Sequence, residues 1–199
     1  MTDIFKFLIV FIGLSLSSIL GCTDNSTNSN SSASVQLIPL ALNNSWIYKT
    51  EFYDSTGAIL SSRVDTLRIT GDTLINNETW YIFNNSTYNR TTNRSDGYYS
   101  YYDAPQLEYK YPAQIGDTIL FSNSLKREVI STNTLITISN VSHSAYHYHD
   151  MYVNNVTDLT WDIFIAPKVG QVRVNAYRKN SQKQNYLTMC FSLMSYKLY

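Results

Sequence analysis

The sequence has few cysteines, glycines and prolines, and no excess of charge of either sign. Its 199 residues include 2 cysteines, 7 glycines, 4 prolines and 3 histidines. Two cysteines cannot build a disulfide framework. Lys plus Arg number 15 and Asp plus Glu number 15, which makes the formal net charge zero. A neutral chain offers no basic surface to nucleic acids or anionic membranes, so no nucleic-acid partner is predicted.

Motifs for catalysis are also missing. No serine stands in the Gly-X-Ser-X-Gly pattern of a nucleophile turn, and no glycine-rich phosphate loop is present. The acids are scattered, and no two of them stand out as a general acid and a general base: Asp96, Asp103, Glu108, Asp117, Asp158 and Asp162. We therefore predict a protein that is not an enzyme, with no catalytic residue and no cofactor.

One long hydrophobic run is present, at residues 8–20. Its length of about 13 residues is too short for a membrane-spanning helix, which needs about 20, and Lys6 supplies the positive start of a secretory signal. The run ends in Ile19-Leu20-Gly21-Cys22, which resembles the lipobox of bacterial lipoproteins. Residues 1–21 are therefore predicted to be a lipoprotein signal peptide. An ordinary cleaved signal that leaves Cys22 as a free thiol, or a transmembrane segment, is the alternative.

Lipidation of Cys22 decides where the protein is expected to lie. A thioether diacylglycerol and an N-acyl group anchor a chain stably, so the membrane is a predicted partner through Cys22. Thr23, rather than aspartate, follows the cysteine, which resembles sorting to the outer membrane of Gram-negative cells. The expected location is the cell envelope, at the outer membrane, on either its periplasmic or its surface face.

Residues 22–34 are predicted to link the anchor to the folded part. After Cys22 they are nearly all Ser, Asn, Thr and Ala, and such a segment buries too little apolar surface to offset its ordering entropy. We expect a disordered linker here and one domain over residues 35–199. Cys190 lies in a strand-like stretch and is expected to be a buried small hydrophobe.

Aromatic residues are abundant, with 17 Tyr, 8 Phe and 3 Trp. Aromatic and β-branched residues favour strands, and no segment keeps a helical hydrophobic period over three turns. The fold is therefore predicted to be all-β, with about ten to twelve antiparallel strands in a curled sheet or half-barrel, and with a β-sandwich as the alternative. Residues 84–96 are predicted to be an exposed loop, and residues 126–131 and 135–140 two separate strands.

Three segments resemble a diffuse group of bacterial lipoproteins of unknown function. They are Pro39-Leu40-Ala41-Leu42-Asn43-Asn44-Ser45-Trp46-Ile47-Tyr48, Ala166-Pro167-Lys168-Val169-Gly170-Gln171-Val172 and Leu193-Met194-Ser195-Tyr196-Lys197-Leu198. Asn43 stands where that group has glycine, and asparagine tolerates a left-handed backbone. Some members resemble the half-barrel of periplasmic lipoprotein carriers, so the resemblance implies a curled sheet around an apolar concavity. It implies no catalytic residue.

All three histidines fall within residues 141–150. Alternation along a strand puts His147 and His149 on one face about 7 Å apart, with His143 farther along that face. Two imidazoles so placed can chelate zinc, copper or nickel if a neighbouring strand supplies a third ligand. A metal site at His143, His147 and His149 is one hypothesis. The alternative is an exposed polar strand face, with the neighbouring tyrosines packed inward.

Four tyrosines form a second unusual cluster, Tyr98, Tyr99, Tyr101 and Tyr102. Tyrosine has a large apolar ring with a polar tip, so such a cluster can stack on sugars or contact a protein partner. We consider it a candidate binding surface. The alternative is that one face belongs to the core and the other pairs across strands.

Two non-catalytic functions are compatible with these features. The first is an accessory module that recognises an envelope protein or a glycan through its aromatic strands and Asn-rich loops. The second is a carrier or binder that holds a lipid or another lipophilic ligand in the concavity of the half-barrel. An apolar pocket of several hundred Å³ favours the second function, and a filled interior favours the first.

Overall fold

The computed structural model describes residues 36–84, 90–121, 124–154 and 157–199. The predicted signal peptide, the lipidation site Cys22 and the linker lie outside these residues. No helix long and apolar enough to cross a membrane occurs in the described ranges.

The described residues form twelve antiparallel strands and no α-helix, which confirms the all-β prediction. The strands are β1 (Ser45–Tyr53), β2 (Ile59–Ile75), β3 (Glu78–Phe83), β4 (Arg90–Arg94), β5 (Gly97–Tyr101), β6 (Pro105–Lys110), β7 (Thr118–Leu120), β8 (Leu125–Ile138), β9 (Val141–Tyr152), β10 (Thr160–Ala166), β11 (Gly170–Lys179) and β12 (Asn185–Lys197).

The strands follow an up-and-down order in one sheet. Apart from β6 and β7, each strand pairs with its neighbours in sequence. Strand β1 also pairs with β12, so the sheet runs from β6 through β1 and β12 to β7. Strands β6 and β7 are the two edges, and they contact each other without forming a hydrogen-bonded ladder. The sheet is therefore a nearly closed barrel with one seam. This arrangement confirms the curled-sheet prediction over the β-sandwich.

The seam is closed by side chains from the interior. Arg127 of β8 donates from Nη1 to the carbonyl oxygen of Glu108 on β6 (2.6 Å), and the Tyr148 hydroxyl of β9 donates to the carbonyl oxygen of Lys110 (2.9 Å). Both carbonyls lie on the edge strand β6, two residues apart. They are satisfied by side chains where a neighbouring strand would otherwise supply N–H groups.

A buried ion pair holds Arg127 in place. Its Nε and Nη2 atoms donate to the two carboxylate oxygens of Asp150 on β9 at 2.7 and 2.6 Å, and both residues are buried. The guanidinium also lies over the ring of Tyr109 (4.2 Å from the centroid) and near that of Phe121 (5.1 Å). Bidentate geometry and stacking are what distinguish arginine from lysine, so Arg127 suits this position.

Residues 36–44 cover part of the core before β1 begins. Leu37 and Leu40 are buried there, and the Trp46 indole donates to the carbonyl oxygen of Val169 at 2.6 Å. Asn43 has a φ of 71°, so the predicted left-handed asparagine is confirmed. Its tolerance for that backbone lets the chain turn into β1 without a glycine.

Two predictions about local structure were wrong. Residues 90–94 form β4 inside the predicted loop, and Thr91 and Thr92 are buried. Threonine favours pleated structure, and pairing of β4 with β5 outweighs the polar composition. The two strands predicted at 126–131 and 135–140 are one strand, β8, whose register with β9 shifts between Val129 and Thr134. Such irregularities bend a strand without ending it.

Candidate functional site

A cavity of about 300 Å³ lies on the inner face of the sheet. Its walls come from residues near the start of the domain and from eight strands. Seven of the lining side chains are aromatic: Trp46, Tyr48, Phe83, Tyr98, Tyr102, Tyr109 and Phe191. The other lining residues are Ile38, Leu67, Thr91, Ser100, Glu108 and Gln171. The volume is at the lower end of the range for small-molecule sites, and a wall rich in aromatic side chains with a few polar groups is typical of them.

The aromatic walls are held by packing and by one backbone contact. Tyr48 stacks on Phe191 with centroids 4.2 Å apart and donates its hydroxyl to the carbonyl oxygen of Gln171 at 3.0 Å. Burial raises the pKa of the Tyr48 hydroxyl, and the nearby hydroxyls of Tyr98 and Tyr109 add to this effect. Tyr48 is therefore a neutral, oriented wall of the cavity.

A small polar group lies among these rings. The Ser100 hydroxyl donates a short hydrogen bond to the Glu108 carboxylate across β5 and β6. Thr91 is buried beside Tyr98, and its hydroxyl makes no hydrogen bond of normal geometry in the described part of the chain. Buried hydroxyls usually have partners.

Of the four tyrosines in the predicted binding cluster, two line the cavity and two pack elsewhere. Tyr98 is buried and Tyr102 is 59% exposed, and both line the cavity. Tyr99 donates to Asp96 at 2.8 Å and lies under the guanidinium of Arg94. Tyr101 packs edge-on against Trp80, which is absent from the cavity lining. The four rings do not face one ligand together. Glycan or protein recognition by this cluster stays a prediction.

Two of the three histidines lie together, as alternation predicts. His147 and His149 on β9 both bond to Oδ1 of Asp162 on β10, His147 through Nε2 at 2.9 Å and His149 through Nδ1 at 2.7 Å. His143 instead packs edge-on against Tyr196. Within the described ranges, no three His, Cys, Asp or Glu side chains are grouped to hold a metal ion. The metal site at His143, His147 and His149 stays a prediction that this geometry does not support.

The contacts between Asp162 and the two histidines shift the pKa values of His149 and Asp162. The hydrogen bond to Asp162 raises the pKa of His149, against an opposing effect of partial burial. Partial burial alone would raise the pKa of Asp162, but the hydrogen bonds from His147 and His149 outweigh it and hold that pKa well below its usual range. Both shifts favour the charged forms of His149 and Asp162.

We expect Asp162→Asn to destabilise the protein more at pH 5 than at pH 8. A raised His149 pKa stabilises the fold below the ordinary value of 6.5, and this contribution is lost as the pH rises through the folded-state pKa. A lowered Asp162 pKa stabilises above its ordinary value of 3.8, and that contribution is lost in stronger acid. Urea unfolding at both pH values measures the difference, expected to be about 1–2 kcal/mol.

Asp158→Asn is the matched control for this experiment because Asp158 is exposed and makes no ion pair in the described chain. Its unfolding free energy should follow that of the parent at both pH values. Equal destabilisation by Asp162→Asn at pH 5 and pH 8 would contradict the proposed charge pairing.

Cys190 is half-buried on β12 and has no disulfide partner among the described residues. Burial raises the pKa of its thiol. A raised pKa lowers the thiolate fraction at neutral pH. The prediction of a buried residue is met only in part, since Cys190 is half-buried.

Two solved structures are similar to this chain. A candidate lipoprotein from Parabacteroides distasonis ATCC 8503 shares 14% identity over 82% of this chain and 99% of its own, with a TM-score of 0.47. A candidate exported protein with a YmcC-like fold, from Bacteroides fragilis NCTC 9343, shares 11% identity over 81% of this chain and 98% of its own, with a TM-score of 0.44.

No protein-family model matches the sequence, and no curated protein matches it. The resemblance of residues 39–198 to lipoproteins of unknown function therefore stays a prediction at the level of its three motifs.

The sequence indicated two tyrosines of the cavity wall, Tyr98 and Tyr102, but not the polar group among the rings. Tyr98 was singled out for its place in a tyrosine cluster, whereas Glu108 was one of several scattered acids. A weak signal is present, since Glu108 lies between the apolar Leu107 and the aromatic Tyr109. An acid between two large hydrophobic residues indicates a polar group in a partly buried position.

Proposed function

We propose that this protein is a lipid-anchored envelope protein that holds a small lipophilic molecule in the aromatic cavity of its curled sheet. The observation that carries the proposal is the cavity of about 300 Å³ with seven aromatic side chains in its wall. A filled interior would have favoured recognition of an envelope protein or glycan at the surface. An open interior lined by aromatic rings favours binding of a ligand there.

The cavity is open enough for exchange with solvent. Tyr102 is largely exposed and Leu67 is half-buried, and both belong to its wall. A ligand can therefore enter past these side chains while Trp46 and Tyr48, which are buried, form the inner wall. Burying an apolar ligand here gains about 25 cal/mol for each Å² removed from water.

We expect a neutral fluorescent probe, N-phenyl-1-naphthylamine, to bind with enhanced emission, and Leu67→Trp to weaken its binding about tenfold. The larger ring occupies space at the open side of the cavity, and a loss of about 1.4 kcal/mol of burial corresponds to that factor. The measurement is a titration excited in the absorption band of the probe, with circular dichroism to confirm the fold.

Val64→Trp is the matched control because Val64 lies on the same strand, is exposed and is absent from the cavity wall. It should bind the probe as the parent does. Equal weakening by Leu67→Trp and Val64→Trp, or a parent that does not bind the probe, would overturn the cavity as a lipophilic site.

We expect Cys22→Ala to remove the protein from the membrane. The parent, expressed with its full leader, should incorporate labelled palmitate and partition into the detergent phase, because each buried methylene of an acyl chain contributes about 0.8 kcal/mol. Cys190→Ala supplies the control, since it removes the other cysteine of the chain and should leave both properties unchanged. A Cys22→Ala protein that still partitions like the parent would contradict the anchor.

A further inference from the structure

The cavity wall has one acid and no basic side chain. Of the residues that line it, Glu108 carries a carboxylate, and none is Lys, Arg or His in the part of the chain that the structure describes. Its side chain is 24% exposed, so the carboxylate is reachable from the cavity. The cavity therefore presents a negative group to any ligand that enters.

The nearest cation does not neutralise this carboxylate fully. Arg127 Nη1 lies 3.6 Å from Glu108 Oε2, whereas Nε and Nη2 of the same guanidinium are 2.7 and 2.6 Å from Asp150. The single positive charge of Arg127 is therefore shared by the carboxylates of Glu108 and Asp150, and Asp150 has the shorter contacts. The net charge of the three side chains Glu108, Asp150 and Arg127 is −1. Glu108, whose carboxylate has the weaker contact with Arg127, is the one that lies on the cavity wall.

The aromatic walls suit a positive charge as well as an apolar body. The face of an aromatic ring is negative, and cages of several rings bind ammonium groups. The rings of Tyr98 and Tyr109, with centroids 6.1 Å apart, line the same cavity as Glu108. Because the Arg127 guanidinium already lies over Tyr109, we expect the ligand cation at the Tyr98 ring. Rings and carboxylate therefore stand around one space, where a cation would contact both.

We infer that the ligand of this cavity is an organic ammonium compound, whose positive nitrogen binds at Glu108 while its apolar part packs against the aromatic wall. The inference rests on the proposed function, because it names the class of lipophilic ligand that the cavity takes. Primary and quaternary ammonium groups share this chemistry. The Ser100 hydroxyl orients the carboxylate by donating to it.

Three small probes of similar size test the inference. They are phenethylammonium, which is positive, n-propylbenzene, which is neutral, and 3-phenylpropionate, which is negative. We expect phenethylammonium to bind the parent about tenfold more tightly than n-propylbenzene, and 3-phenylpropionate to bind most weakly. Isothermal titration calorimetry and amide chemical shifts of the domain measure the three affinities.

Glu108→Gln removes the charge and keeps an acceptor for Ser100. This variant should lose the preference, so that phenethylammonium binds no more tightly than n-propylbenzene, because an unpaired ammonium group pays its desolvation cost without compensation. Glu128→Gln is the matched control, since Glu128 pairs with Lys126 and is absent from the cavity wall. It should keep the tenfold preference. The probe series on the parent protein decides the matter even if Glu108→Gln does not fold.

The outcomes separate this inference from the proposed function. Equal binding of the positive and neutral probes to the parent would overturn the ammonium ligand and leave a lipophilic site standing. A preference for the positive probe that survives in Glu108→Gln would also overturn it. Loss of the preference in Glu108→Gln but not in Glu128→Gln supports it. Failure of all three probes, together with failure of N-phenyl-1-naphthylamine, would overturn both proposals.

Discussion

Replacement of Arg127 by alanine is expected to lower the free energy of unfolding by about 3–5 kcal/mol, because it leaves the buried Asp150 carboxylate without its partner. Asp150 is 2% exposed and Arg127 is 6% exposed, so water cannot replace the lost contacts. The carbonyl oxygen of Glu108 loses its donor as well. We therefore expect β6 to separate from β8 at the seam, which hydrogen exchange of the β6 amides would detect as faster exchange.

Two comparisons identify the cause of this loss. Lys126→Ala removes a neighbouring cation whose ion pair with Glu128 is partly exposed, and it should cost only about 0–1 kcal/mol. The double variant Arg127→Met with Asp150→Leu removes both charges, and it should recover much of the stability that Arg127→Ala loses. Equal losses for Arg127→Ala and Lys126→Ala in urea unfolding would contradict the role of the buried pair.

Replacement of Trp46 by alanine is the second large effect, with an expected loss of about 3–5 kcal/mol. Trp46 is 1% exposed, packs near Phe83 with ring centroids 6.0 Å apart, and donates to the Val169 carbonyl oxygen. Its truncation leaves a void beside the cavity and an acceptor without its donor. Chemical denaturation measures the change in stability.

Trp46→Phe separates packing from hydrogen bonding because it keeps a ring but loses the indole donor. It should cost about 1–3 kcal/mol, the range for an unpaired buried acceptor. Trp161→Ala is the control on another strand, where the tryptophan is only half-buried. Its loss should be clearly smaller than that of Trp46→Ala. A loss as large at Trp161 would show that burial of Trp46 is not the determining factor.

Most strands were predictable because their residues carry local information. Segments such as Trp46 to Tyr53 combine aromatic and β-branched residues with alternating burial, and the structure has β1 over Ser45–Tyr53. Asn43 was predictable for the same reason, since its left-handed backbone depends on the residue itself. The placement of His147 and His149 on one face follows from the strand period alone.

Strand β4 was not predictable in this way. Residues 90–94 are polar in composition, and they become a strand because β3 and β5 supply partners on both sides. The polar composition of the predicted loop therefore gave the wrong answer. Cross-strand pairing, which is non-local, decided the outcome.

The candidate site depends even more on distant contacts. Glu108 and Arg127 are 19 residues apart, and Arg127 and Asp150 are 23 apart, so no local motif joins them. Glu108 and Arg127 meet because the sheet curls until its two edges touch, whereas Arg127 and Asp150 face each other in the ladder between β8 and β9. Asp162 likewise joins His147 and His149 only through pairing of β9 with β10.

The amino-acid sequence by itself determined the strand-rich character of the chain and the turn at Asn43, because these follow from properties of neighbouring residues. Only the tertiary structure decided which side chains enclose the cavity and which charges meet at the seam. Those contacts depend on the curvature and register of twelve strands, and curvature and register arise from pairing between residues that are far apart in the chain.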